Sequence, residues 1–273
     1  MQNDSPLIIE NHGAVRRIWL NRGDAANAQT RQMLIDLDAA IAEASADESV
    51  RVIVLAGKGK HFSAGHDLKE AQAKRSDFSA QERWRYEEFH YLDYCLNIWD
   101  CPKPVVAQVQ GACVAGGFML ANMADLIIAT DDAWFWDSVM FSMGLAATEV
   151  LFQPWVMGMR HAKEFLFMGE RINAADAYRI GMVNRVVARD ELDDSTMAAA
   201  ERIAQAPPFA MRALKKSVNR TYDIQGFRNA VQAHFDTHQV THASSEFFEI
   251  RDRGMTNVIS HNKTDLRSVN GQA

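Results

Sequence analysis

At 273 residues, 48% of them apolar, the chain can bury a sizeable core as one α/β domain or a domain with an appendage. A net charge of −6 excludes a general basic footprint for nucleic acid. No apolar run approaches the ~18–20 residues of a membrane span, and residues 1–6 lack the charged-then-apolar pattern of a signal peptide.

Segments 7–10 and 14–20 read as short strands around the hairpin signal Asn11-His12-Gly13. Met33, Leu34, Leu37, Ile41 and Ala44 repeat at helical spacing, predicting an amphipathic helix over 30–45. Residues 50–56 are a continuous apolar run of strand length, as in a strand buried on both faces. A glycine-marked loop follows, then a helix over 78–100 closed by Cys101-Pro102-Lys103-Pro104. Residues 105–109 and 125–130 read as further buried strands. Gly116 opens a helix between them, reaching about Met123. Helices are expected to begin near Thr148 and near His161.

This alternation argues for parallel βαβ units. After about Glu191 it stops, and 198–206, 208–218 and 225–242 read as helices with no strand between. The expected organisation is an α/β core over 1–190, a helical part over 191–260 and a polar tail over 261–273. Cys95, Cys101 and Cys113 have no metal-ligand spacing and an odd count, which fits a reduced, cytoplasmic compartment. His234, His238 and His242 share one helix face, but no carboxylate or thiol pattern completes a ligand set. That face reads as solvated or interfacial, and no metal is expected.

Two glycine loops carry chemical information. Phe62-Ser63-Ala64-Gly65-His66-Asp67-Leu68-Lys69-Glu70 and Gln110-Gly111 through Gly116-Gly117 each follow a buried strand and precede a helix. Ligands of open α/β sheets bind at the carboxyl ends of strands. Small residues let a ligand approach the backbone, and N–H groups at a helix start point at negative charge. The same glycines also serve turns and tight packing.

The first loop resembles the F-(S/A/C)-A-G-x-D-(L/I)-K/x-E element of the crotonase (enoyl-CoA hydratase/isomerase) superfamily. The second, with Asp125-Leu126-Ile127-Ile128-Ala129, is similar to that family's N-G-x-x-x-G-G-G…D-(I/L)-x-x-A element at the same spacing. Leu20-Asn21-Arg22…Asn27-Ala28, Gly169 to Ala174 and Gly181 to Val187 resemble three more of its elements in order. The resemblance spans roughly residues 7 to 220. It implies a crotonase-like core of repeated ββα-type units with a helical C-terminal trimerisation part, and a homotrimer or homohexamer. It implies an acyl-CoA substrate and no cofactor, coenzyme A being part of that substrate.

By the same resemblance, the backbone N–H groups of His66 and Gly116 form an oxyanion hole, and the His66 side chain need not take part. Ala64, Gly65, Asp67, Leu68, Lys69 and Gly117 would lie along the substrate, with Asp24 to Ala26 on its other side. Lys69 would meet a phosphate or stay a helix-surface lysine. The family's hydratases use two glutamates, but the corresponding positions here hold Met119 and either Val139 or Met140, which move no proton. Glu149 stands within one residue of where some relatives carry a catalytic aspartate. Thr148 as an N-cap would put Glu149 in a first helical turn, where the dipole favours its ionised form with or without a function. Asp137 is a second candidate, facing pocket or solvent.

Met119, Val139, Met140, Phe141 and Met143 suggest an apolar pocket, although core packing explains them equally. The readings are an enoyl-CoA hydratase-like lyase first, then a one-carboxylate double-bond isomerase, then a non-catalytic acyl-CoA binder.

Overall fold

The computed structural model describes residues 5–254. The polar tail expected over 261–273 lies outside the described residues. Strands β1 (Leu7–His12) and β2 (Val15–Leu20) form the expected hairpin, but the pairing runs on to His12↔Val15. The turn is therefore Gly13-Ala14, and Gly13 takes the positive φ it needs.

Helix α1 (Arg31–Ala46) begins where Thr30 accepts the Met33 amide, and it buries Met33, Leu34, Leu37, Ile41 and Ala44 as their spacing predicts. Strand β3 (Val52–Gly57) is buried throughout, and α2 (Leu68–Arg75) follows. The helix expected over 78–100 is α3 (Ala80–Glu87), a π-helical stretch (Glu88–Asp93) and α4 (Tyr94–Asp100).

Strand β4 (Val105–Val109) turns at Gly111 into β5 (Ala112–Val114), which leads into α5 (Gly116–Met123). Strand β6 (Leu126–Thr130) turns into β7 (Trp134–Trp136) and the short α6 (Val139–Met143) in the same manner. Then come α7 (Gln153–Val156), α8 (Gly158–Met168), β8 (Ile172–Asn173), α9 (Ala174–Arg179) and β9 (Arg185–Val187).

The main sheet has the order β1-β2-β3-β4-β6-β9, parallel apart from β1, and β5-β7-β8 form a small second sheet. The units β4-β5-α5 and β6-β7-α6 thus send their first strand into the large sheet and their second away from it. This is the expected ββα architecture with a helical C-terminal part.

The helices after β9 are α10 (Leu192–Ala204), α11 (Pro208–Ile224), α12 (Phe227–Thr241) and α13 (Ser245–Arg253). Helix α10 packs Leu192, Ala199 and Ala200 against Val52, Val54, Val106 and Ile128, covering one face of the sheet. The boundary read at residue 190 therefore falls inside the packed body. Helix α11 is moored by buried Lys215, which donates to Asp125 Oδ2 at 2.7 Å and to the Lys103 carbonyl at 3.1 Å. Helix α13 escaped the periodicity reading because it is only nine residues long; its signal is Ser244, which accepts the Phe247 amide as N-cap. Among the described residues no helix is long and apolar enough to cross a membrane.

Helix α12 is anchored in the main core by Phe227, Val231 and Phe235. Phe235 is 1% exposed and sits edge-on to Trp84 with centroids 5.4 Å apart. Phe235→Ala should cost about 3–5 kcal/mol in denaturant unfolding. A loss below about 1 kcal/mol would show that α12 lies outside the cooperative core.

Candidate active site

The two glycine loops are laced together as parallel strands. Phe62 and Ser63 donate to the carbonyls of Gln110 and Ala112, and Val114 donates back to Ser63. Residues 26–29 join from the other side: Ala64 N–H donates to Ala26, Gln29 N–H to Gly65, and Asp67 N–H to Gln29. In this ladder alternate residues bond to the same neighbour. The N–H of His66, between Gly65 and Asp67, therefore faces away from Gln29. Gly116 is the first residue of α5, so its N–H has no intrahelical acceptor.

The loops touch closely. A Cβ on Gly65 would come within 2.9 Å of the Val114 carbonyl and 3.1 Å of Gly116 N. A Cβ on Gly116 would meet His66 Cε1 at 2.6 Å, and one on Gly117 would meet Ser63 Cβ at 2.7 Å. Ala115 between them has φ 45° and ψ −115°, a costly backbone for alanine and one that aims the start of α5.

Asp67 caps α2, accepting the amides of Lys69 and Glu70, and pairs with Arg22 at 3.0 Å. Its role in the structure is to hold the loop. Asp24 and Lys69 are exposed, and Ala26 lies beside Ala64.

Glu149 does not start a helix. Ala147 adopts φ 59°, and the Thr148 amide and hydroxyl both donate to Asp137 Oδ2, at 3.0 and 3.1 Å. Thr148 is thus no N-cap, helix α7 begins only at Gln153, and Glu149 lies outside any first helical turn. Asp137 faces neither pocket nor solvent. It is 3% exposed and also accepts Gln153 Nε2 and the Val139 amide. Burial pushes its carboxyl up, against the hydrogen bonds from Thr148 and Val139.

From the opposite side, His234 Nε2–H donates to the Thr148 carbonyl and His238 Nδ1–H to the Ala147 carbonyl, each at 2.9 Å. The face read as solvated or interfacial is thus turned inward, against the Glu149 loop. His238 is 0% exposed.

The clamped loop presents Glu149 between two imidazoles. Its Oε2 lies 3.9 Å from His66 Nε2, and its Oε1 lies 3.9 Å from His238 Nε2. Burial raises the Glu149 carboxyl, but contact with His66 and the charges of His66 and His238 outweigh it, holding the group below its ordinary value. The His66 ring stacks on Tyr91, with centroids 3.6 Å apart and planes 11° apart. The His66 side chain, which by the resemblance need not take part, thus stands beside Glu149.

Glu149, His66 and Tyr91 line a cavity of about 120 Å³, shared with Ala64, Leu68, Val139, Met143 and Phe247. That is room for roughly four waters at about 30 Å³ each. The wall is mostly apolar, as expected, and Arg75, Arg83, Glu87 and His242 also reach it. Met119 sits 1% exposed in the core, and Met140 is not on the wall. Glu87 was invisible in the sequence: nothing distinguishes it from exposed Glu88 except the π-helical stretch that begins there and the residues of α12 that meet it.

A larger groove, about 560 Å³, runs under α11 past Trp99, Phe152 and Tyr222, but its charged pair, Asp125 and Lys215, is spent on itself. The small cavity brings Glu149, His66 and Glu87 to one wall.

Comparison with known proteins shows what the chain is similar to. Residues 10–263 match the family model described as enoyl-CoA hydratase/isomerase. EchA13 of Mycobacterium tuberculosis, which bears an enoyl-CoA hydratase name, is 39% identical over 248 residues, covering 85% of this chain and 78% of its own. The 4-chlorobenzoyl coenzyme A dehalogenase-2 of an Arthrobacter species is 30% identical, covering 79% of this chain and 78% of its own. The crystal structure of an enoyl-CoA hydratase/isomerase from Xanthobacter autotrophicus Py2 superposes with TM-score 0.87 at 33% identity, covering 96% of this chain and 98% of that one.

Asp137→Ala would leave the buried donors of Thr148 and Gln153 without their acceptor. It should cost about 2–4 kcal/mol in urea unfolding. A cost below about 1 kcal/mol would show that the Glu149 loop is seated by α12 alone.

Proposed function

The chain belongs to the enoyl-CoA hydratase/isomerase family, and from that premise we propose that it is an enoyl-CoA hydratase-like lyase in which Glu149 is the base. The observation that carries this reading is the Glu149 carboxylate, buried at the cavity wall beside the His66 loop and held ionised there.

In this reading the thioester oxygen accepts hydrogen bonds from the backbone N–H groups of His66 and Gly116. Each such donor is worth about 3 kcal/mol to an enolate-like transition state. Ionised Glu149 takes a proton from water, whose oxygen bonds to the β-carbon, and the C=C electrons move onto the thioester oxygen. The same carboxyl then returns its proton to the α-carbon as the enolate collapses. One carboxylate thus completes the addition of water, and the His66 imidazole helps to hold that water against it. Ala64, Gly65, Leu68, Lys69 and Gly117, with Asp24 and Ala26 across the loop, lie along the substrate. Coenzyme A arrives as part of the substrate, and the steps call on no metal or redox cofactor.

A double-bond isomerase is the second reading. It is favoured by Glu87, whose oxygens are occupied by Gln239, His242 and Arg83, so that Glu149 alone has an open face. Exposed Phe209 and Ile224 at the ends of α11 support a trimer or hexamer formed through the C-terminal helices.

Crotonyl-CoA should lose its conjugated enoyl-thioester absorbance in the presence of the protein. Glu149→Gln should slow this by about 10²–10⁴-fold with thioester binding kept. Binding without hydration, but with deuterium entering at Cγ, would replace the lyase reading with the isomerase.

A further inference from the structure

His238 carries one ring nitrogen that the fold leaves unused. Its Nδ1 lies 2.9 Å from the Ala147 carbonyl, and a carbonyl only accepts, so Nδ1 carries a proton. Its Nε2 is buried and has no hydrogen-bond partner among the described residues. That nitrogen faces Glu87 Oε2 at 3.7 Å and Glu149 Oε1 at 3.9 Å. A lone pair there would bring three negative ends together in a dry space. A proton there puts a cation between two anions.

We propose that His238 is a buried imidazolium shared by Glu149 and Glu87, a positioning residue that keeps the Glu149 carboxylate ionised and its loop seated. Glu87 is the second anion of a three-charge relay, running from helix α3 through α12 to the reactive loop. The effect on catalysis rests on the reading of Glu149 as base. The charge state of His238 does not.

The surroundings agree from every side. Helix α3 contributes Glu87, whose other oxygen faces Arg83 at 3.5 Å. The reactive loop contributes Glu149, with His66 on its far oxygen and Tyr91 stacked behind that ring. On α12 itself His234 donates to Thr148, and His242, the residue that closes the helix, donates to Glu87 at 3.1 Å. Helix α13 brings only the apolar Phe247, edge-on to His242. Burial pushes the His238 imidazole down, but contact with Glu87 and the charge of Glu149 raise it above its ordinary value. Burial likewise opposes charge on Glu87, yet His238 and His242 hold its carboxyl well below the usual range. With the histidine raised, its cation persists above pH 6.5 and is lost only as pH climbs through the raised value.

Glu87, His238 and His242 also bring three ligand-type atoms within 4.8 Å of one another. A metal there would take the Nε2 lone pair of His242 and force its proton onto Nδ1, which is buried with no acceptor among the described residues. The hydrogen bond from His242 to Glu87 leaves Nδ1 merely an idle acceptor. The imidazolium is therefore the better account.

The test is a pH titration of the full chain with histidine labelled at ring ¹³Cε1, followed by NMR. His238→Gln identifies the resonance; if that variant does not fold, the resonance is the one that moves in both glutamate variants. The expected midpoint lies above the ordinary 6.5, and Glu149→Gln and Glu87→Gln each lower it by roughly one unit. A His238 that is neutral at pH 6.5, a midpoint unmoved by either variant, or no resonance that moves in both would overturn the proposal. So would one chelator-removable divalent metal per chain whose loss shifts this resonance. If Glu149 were not the base, hydration and exchange assays would fail while this titration stayed as described, so the two claims fail separately.

Discussion

The site depends on how one short loop is seated. Residues 144–150 carry no regular structure of their own, so their backbone groups must find partners elsewhere. Asp137 takes the amide and hydroxyl of Thr148 from one side. His234 and His238 take the carbonyls of Thr148 and Ala147 from the other. The left-handed turn at Ala147 is held open between these two clamps. Glu149 has its place and its charge because of them. Without them Thr148 would be free to cap a helix, and the carboxylate would point elsewhere.

This seating joins the two halves of the chain. The ββα units supply the loops around Gly65 and Gly116, whose geometry comes from strand alternation and from glycines at positions no Cβ can share. The C-terminal helices supply the histidines. A buried carboxylate without a partner is costly, and removing one partner of a buried pair costs more than the pair contributes. The chain resolves this by interleaving Glu149, His238, Glu87 and His242, with Arg83 behind Glu87. The result is a small, mostly apolar cavity with a charged cluster at its wall.

What was legible followed locality. The glycine loops, the buried strands and the face of α1 are written in residues a few positions apart. Glu149 stands out by position, but its surroundings do not, because its loop is held by Asp137 and by histidines of a helix far along the chain. Local rules then favoured a helix start at Thr148, and the long-range acceptor at Asp137 overrode them. The three histidines were visible as a face, yet periodicity cannot say whether a face meets water or a carboxylate. Glu87 is one of two adjacent glutamates, and only the π-helical stretch and the arrival of Gln239 and His242 single it out.

Hydration, isomerisation and simple enolisation share one demand: a base within reach of a thioester whose carbonyl is polarised, which the proposal assigns to Glu149 and to the amides of His66 and Gly116. The measurement that tests this most directly is incorporation of deuterium at the α-carbon of butyryl-CoA in deuterated water, read by mass spectrometry. The saturated acyl group removes hydration from the question. The account predicts a gain of deuterium with the unaltered protein and almost none with Glu149→Gln, at equal thioester binding. Equal exchange in both, or none in either although the thioester binds, would contradict it.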